Sequence, residues 1–208
     1  MKAPQDDAAG RTAIAMMAKV NPESCSDMVA YAETECSVPM EGSSVVELGP
    51  GAGCSLKAIL ARRPASITAF ELSPVFRDML SQDEALSAAS EVLTIVPDDA
   101  ISMPGVPSAS VDVVVAMNVV YFLDPLAAYL VEMLRVLKPG GWVVFGAKDG
   151  AAVGQAAQFV NTDNAKVVEA MAQAGFACSA VEPARLLGAD GAPGPATWIP
   201  LRGQKPGG

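Results

Sequence analysis

The sequence predicts an α/β fold: a mostly parallel sheet with helices on both faces, three layers deep. Three observations predict it. Short apolar runs alternate with helical patterns five times, the rhythm of parallel strands joined by crossover helices. One run, VDVVVAMNVVYF (111–122), is β-branched and apolar at its start, as a strand covered on both faces should be. Nothing repeats at a fixed period and no linker divides the 208 residues, so the chain reads as one domain with length enough to bury a core. Within it, residues 1–40 read as a helical cap or lid and 41–208 as the sheet-bearing core.

Taken in order, residues 1–10 form a loose acidic lead. Arg11 to about Val20 and Glu23 to about Cys36 suit two short helices, with Pro22 at a first-turn position where its missing N–H costs nothing. Pro39–Ser43 is a turn, followed by VVEL and the glycine-rich GPGAG. SLKAILARR (55–63) reads as a helix opened by Ser55 and closed by basic residues and Pro64. SITAFEL (66–72) is a short strand ending in an acid, and Ser73-Pro74 starts one helix through PVFRDMLSQDEAL. EVLTIVPDDA (91–100) is a third strand, running into two aspartates. PLAAYLVEMLRVLK (125–138) is a helix with apolar residues at i, i+3 and i+4, stopped by Pro139-Gly140-Gly141, and WVVFGAK (142–148) is a further strand. Residues 150–161 are small and ambiguous. NTDNAKVVEAMAQAGF gives a helix capped by Gly175, and FACSAVEP and ATWIPLRGQK read as strands around a turn-rich GADGAPGP.

Composition narrows the function. Hydrophobic residues make up 51% and charged ones 18%, which argues against disorder, although much of the apolar fraction is alanine. The net charge of −9 makes polyanions poor partners, so nucleic acid is disfavoured. Four cysteines, Cys25, Cys36, Cys54 and Cys178, show no CxxC spacing, and the chain has no histidine. A zinc or iron site of ordinary composition is therefore not expected, and the cysteines read as reduced, small apolar residues of an intracellular protein. No uninterrupted apolar segment suggests a signal peptide or a membrane helix, so the expected location is the cytoplasm. Without histidine, no Ser-His-Asp or Cys-His device exists, and any chemistry falls to carboxylates, Tyr, Lys, Cys or positioning.

The stretch VVELGPGAGCSL (45–56) carries the first functional signal. In such sheets ligands bind outside the carboxyl ends of the strands, where VVEL runs into Gly49, Pro50, Gly51 and Gly53. Alternating glycines remove three β-carbons, so the chain turns tightly and a ligand can touch the backbone. The spacing is GxGxG and not the GxGxxG of dinucleotide sites, and no GK[ST] follows. Glu47, two residues before the first glycine, would repel a pyrophosphate and suits an ammonium group. Glu71, 22 residues after Gly49, closes the second strand where a carboxylate can accept both hydroxyls of a ribose. Asp98 and Asp99, past the third strand, can accept a hydrogen bond from an adenine amino group. Ammonium, ribose diol and exocyclic amine together describe S-adenosylmethionine.

The chain resembles the class I, seven-stranded, Rossmann-like S-adenosylmethionine-dependent methyltransferases, close to the small type 11 group. VVELGPGAG resembles the first motif of that family and FELSP its second. VPDDA and SVDVVVAMNVVYFLD resemble the third- and fourth-strand motifs, and LRVLKPGGWVVF the turn into strand five. The likeness spans about residues 40 to 180. It implies a seven-stranded, mostly parallel sheet ending in a C-terminal antiparallel hairpin. It also implies that Glu47 and the Gly49–Gly53 backbone hold the methionine part, Glu71 the ribose, and Leu72 the adenine face. Asp99, with the Ala100 amide, would take the adenine edge, and Asn118 would lie near the sulfonium. Pro97-Asp98-Asp99 stands where Gly-Asp is usual, which leaves both aspartates as candidates, with Asp99 favoured.

Methyl transfer from a sulfonium is an in-line displacement with a good leaving group, so alignment and exclusion of water carry most of the work. Tyr121 and Phe122 sit where the family often lines its active site, although Tyr121 reads equally as a packing aromatic. The segment Asn118-Val-Val-Tyr121 lacks the Asn/Asp-Pro-Pro-Tyr/Phe signature of amino-methylating nucleic-acid enzymes, and no basic module is appended. A small-molecule methyl acceptor is the expectation, with no metal. The alternatives are a non-catalytic methyltransferase-like partner subunit, a protein methyltransferase, and a nicotinamide-dependent oxidoreductase, which GxGxG and LKPGG oppose.

Overall fold

Residues 22–148, 159–179, 184–187 and 193–207 are described by the computed structural model. Helix α1 (Pro22–Glu35) comes first. Strand β1 (Ser44–Leu48) leads through the glycine loop into α2 (Cys54–Leu60), and β2 (Ser66–Phe70) into α3 (Pro74–Gln82) and α4 (Glu84–Ala88). Then follow β3 (Leu93–Val96), β4 (Val111–Met117), a 3-10 turn (Val120–Phe122), α5 (Leu126–Val136) and β5 (Leu137–Ala147). The chain continues through α6 (Asn164–Ala174), β6 (Ala177–Cys178), β7 (Ala184–Leu187) and β8 (Pro193–Gln204).

Seven strands lie in the order β3-β2-β1-β4-β5-β8-β6, and β7 pairs with β8 off that path. The five strands from β3 to β5 are parallel neighbours, while β8 runs antiparallel to both β5 and β6. This is the expected architecture. Its three layers are visible along β4, where alternate side chains feed two different cores. Val114 and Ala116 join Tyr129, Leu130 and Met133 of α5 and Met171 of α6. Val113 and Val115 face Met28 and Val29 of α1 and Leu56 and Ile59 of α2. A strand buried on both sides needs an unbroken apolar run, and VDVVVAM provides it.

Several local expectations are revised. The single helix over PVFRDMLSQDEAL breaks at Asp83, whose backbone is extended (φ −77°, ψ 118°). Its Oδ1 accepts the Ala85 and Leu86 N–H groups, so a capping side chain restarts the helix where apolar periodicity alone shows no stop. Strand β4 ends at Met117, because Asn118 turns to φ 58° and the following residues wind into the 3-10 turn. Leu137 already pairs with Val111, and Trp142 with Val113, so Lys138–Gly141 bulges out of β5 rather than separating helix from strand. Strand β8 takes up Pro193–Pro195 from the expected loop. The Gly175 cap holds, with φ 110°.

The cysteines also depart from expectation. Cys25 of α1 and Cys54 at the start of α2 form a disulfide, so these two are not the reduced residues expected; Cys36 and Cys178 are free thiols. Their 29-residue separation matches no local motif, and only the packing of α1 against α2 brings them together. The expected helix over 11–20 and most of the ambiguous segment 150–161 lie outside the described residues. Among the described residues, no helix is long and apolar enough to cross a membrane.

Candidate functional site

The glycine loop leaves the carboxyl end of β1 with three left-handed residues, Gly49 (φ 60°), Gly51 (φ 55°) and Gly53 (φ 81°). They serve different purposes. A β-carbon on Gly49 would lie 2.7 Å from Cγ2 of Val119, and one on Gly53 would meet Leu80 and Leu86 at 2.7 and 2.8 Å. Those two glycines are required by the protein's own packing. Around Gly51 the nearest atom to such a carbon is 3.8 Å away, so it is the position where backbone is presented with room beside it. The ligand argument, spread over three glycines by the sequence, therefore rests on Gly51. Pro50 is buried, and its carbonyl accepts the Gly53 N–H at 2.9 Å, closing the turn.

Glu47, on the β1 face that packs against α2, is 1% exposed. Its Oε1 accepts a hydrogen bond from the Ser55 hydroxyl, while Oε2 is buried with no partner among the described residues. Burial pushes the carboxyl up to about 8; the Ser55 hydroxyl opposes this and the charge of Glu71 adds to it. Sequence reasoning gave Ser55 to the helix N-terminus, yet Gly53 occupies the cap position and makes no side-chain cap. Ser55 is free to serve Glu47 because the helix has already begun.

Glu71 follows β2, and its N–H donates to the Val96 carbonyl, which sets the end of β3 beside it. Oε2 accepts the Gly51 N–H at 3.0 Å and Oε1 the Ser73 N–H at 2.8 Å. Arg77 donates to the carbonyls of Glu71 and Leu72, both at 2.8 Å. Burial raises the Glu71 carboxyl above its ordinary range, against these two N–H groups and the Arg77 charge. The residue expected to meet a ribose thus also anchors the glycine loop, with further lone pairs left on each oxygen. Leu72 is half-buried next to it.

Beyond β3, Asp98 is exposed and Asp99 half-buried, while Ala100 is 1% exposed. Asp99 accepts the Ile101 N–H at 3.2 Å and the hydroxyl of Tyr129. Asn118 closes β4, its N–H donating to the Gly146 carbonyl at 2.7 Å, and Val119 seats on Gly49. The sequence-derived residues therefore gather at the carboxyl ends of β1 to β4. Ser55, Ser73, Arg77, Val119 and Tyr129 were missed, since each acts through a contact that no spacing announces.

Tyr121 is 3% exposed, and its hydroxyl accepts the Lys148 N–H. Burial pushes its phenol upward. It packs edge-on to Phe122 and Phe159, which also contact each other with ring centroids 5.2 Å apart. The packing reading of Tyr121 is the one this geometry supports. Among the described residues, no group of three or more Cys, Asp or Glu side chains is placed to hold a metal. A cavity of about 420 Å³ opens at the opposite, amino end of the strands, between Ser43, Asp112, Lys138 and Trp142, and is separate from these residues.

The family model described as "Methyltransferase domain" matches residues 46–145, from β1 to β5. Over those residues the chain is similar to a methyltransferase domain. No curated protein sequence matches the chain. Among solved structures, an S-adenosylmethionine-dependent methyltransferase from Aquifex aeolicus is similar with a TM-score of 0.69 at 14% identity, covering 93% of this chain and 97% of that one. The N-methyltransferase NodS from Bradyrhizobium japonicum, in complex with S-adenosyl-L-homocysteine, gives 0.65 at 16% identity, covering 90% and 88%. The cyclase SpnF gives 0.66 at 18% identity, covering 89% and 81%. The chain thus has the fold that the glycine and LKPGG motifs led one to expect, and α1 extends it on the amino side of the matched residues.

Proposed function

We propose that this chain binds S-adenosylmethionine at the carboxyl ends of β1 to β4 and transfers its methyl group to a small-molecule acceptor. One observation carries the reading: the fully buried Glu47 carboxylate, with Oε2 unpartnered among the described residues, beside a glycine loop with room at Gly51. A buried carboxylate is costly unless a cation or hydrogen-bond donor completes it, and the ammonium of the methionine portion is such a group. A phosphate there would meet two carboxylates, Glu47 and Glu71.

When bound, S-adenosylmethionine supplies a methyl group on a sulfonium, activated for displacement. The chain's part is placement. Glu47 takes the ammonium, Gly51 offers backbone without a side chain, and Glu71 offers its remaining lone pairs to the ribose hydroxyls. Leu72 would lie along the adenine, and Asn118, at the β4 end, would stand near the reacting carbon. No histidine is present to act as base, so alignment and exclusion of water carry the rate. The half-buried Phe122 and Phe159, packed on each other past the end of β4, would offer an apolar wall to a compact acceptor, and the net charge of −9 opposes a polyanionic one.

Titration calorimetry with S-adenosylhomocysteine tests the cofactor, and transfer of labelled methyl to a panel of small amines, phenols and carboxylates tests the reaction. Absence of binding sinks the cofactor assignment. Binding without turnover on any small acceptor points instead to a non-catalytic partner or to a protein acceptor.

A further inference from the structure

One side of α5 grips the loop between β3 and β4. Tyr129, Glu132 and Arg135 follow one another at three-residue steps and so share a face. Glu132 Oε1 accepts the Met103 N–H at 2.6 Å, and Arg135 donates to the carbonyls of Met103 and Val106 at 2.9 and 3.0 Å. Arg135 and Glu132 are paired through two hydrogen bonds, at 2.7 and 2.8 Å, which fixes both. At the head of this row Tyr129 is fully buried, and its hydroxyl donates to the Asp99 carboxylate. Burial and the Asp99 charge hold the Tyr129 phenol above its usual range, so it stays a donor at any working pH. Asp98, one residue earlier, is exposed and makes no hydrogen bond among the described residues.

The geometry points to Tyr129 as a positioning residue: its buried hydroxyl, with the Ile101 N–H, aims Asp99 and not Asp98 at the adenine amino group of the cofactor. The Ile101 N–H at 3.2 Å and the phenol occupy part of the acceptor capacity of Asp99. Asp99 follows β3, whose end is held beside Glu71 by the Glu71 N–H donating to the Val96 carbonyl. A carboxylate held this way by a rigid helix is preorganised, whereas the exposed Asp98 would have to be ordered on binding. The inference rests on the cofactor reading above.

The test compares S-adenosylhomocysteine with its deaminated analogue, S-inosylhomocysteine, whose ring carries an oxygen in place of the amino group. The wild-type protein is expected to prefer the adenosyl ligand by about 10- to 100-fold, as one hydrogen bond to a charged acceptor allows. In Tyr129→Phe, adenosyl affinity falls and inosyl affinity does not, so the preference drops below about threefold, while Asp98→Asn keeps the wild-type ratio. Equal weakening of both ligands in Tyr129→Phe means a merely structural role and overturns the inference. Loss of the preference in Asp98→Asn overturns it as well. Should thermal melting show that Tyr129→Phe is unfolded, Asp99→Ala gives the same readout, and an unchanged ratio there counts against it. Wild-type protein that binds neither ligand removes the cofactor reading itself, an outcome distinct from all of these.

Discussion

The Ser55 hydroxyl donates to Glu47 across the turn that joins β1 to α2, and it is the only hydrogen bond to that carboxylate among the described residues. Glu47 therefore sits between two states. Protonated, it is a tolerable buried group; ionised, it waits for a cation.

Stability of the free protein should follow. The Glu47 carboxyl is raised from 4.5 to about 8, so the folded chain holds a proton that the unfolded chain has lost over that interval. The folded state binds more protons there, and stability falls as pH rises from about 4.5 to 8, by a few kcal/mol for this group. Denaturant midpoints across that range check it. In Glu47→Gln the decline should largely disappear.

Ligand affinity should move the opposite way. An ammonium selects the ionised carboxylate, so binding below pH 8 releases a proton and tightens as pH approaches that value. Calorimetry with S-adenosylhomocysteine in buffers of different ionisation enthalpy reads the proton directly. Ser55→Ala removes the one donor that favours the ionised form, so the rise in affinity should shift to higher pH. An affinity independent of pH between 6 and 8 would remove the ammonium from Glu47.

The glycines should separate by cause. Gly53→Ala drives a β-carbon to 2.7 Å from Leu80 at a left-handed backbone, for a loss of about 3 kcal/mol or more in denaturant unfolding. Leu80→Ala in that background should recover part of the clash. Gly51→Ala meets no such contact and should lose about 1 kcal/mol of stability from its φ alone, with a larger proportional loss of ligand affinity.

Away from the site, Asp163 caps α6 by accepting the Ala165 and Lys166 N–H groups. Asp163→Ala should cost about 1 kcal/mol in thermal unfolding and leave ligand affinity unchanged.

Much of this was legible from residues 44 to 148. Val111–Met117 announces a central strand because both of its faces are apolar, and Ser73-Pro74 announces a helix start because cap and first-turn chemistry coincide. Glu47 and Glu71 were legible as acids at strand ends. What stayed hidden depended on contacts across the fold. The break at Asp83 interrupts a continuous apolar period, so only its backbone reveals it. Ser55 looks like a cap until the helix start is located, and Tyr129 looks like core until Asp99 is placed beside it. That packing also demands glycine at 49 and 53 stayed hidden, because a sequence does not show Val119 and Leu80 pressing against them.

The Cys25–Cys54 disulfide closes a ring of chain, and β1 lies inside it. A pull on the chain ahead of Cys25 therefore passes from Cys25 straight to the first residue of α2, bypassing β1 and the glycine loop. In mechanical terms the strand that bears Glu47 is unloaded. A tether attached ahead of Pro22 should strip α2 before it disturbs the segment from Ser44 to Gly53.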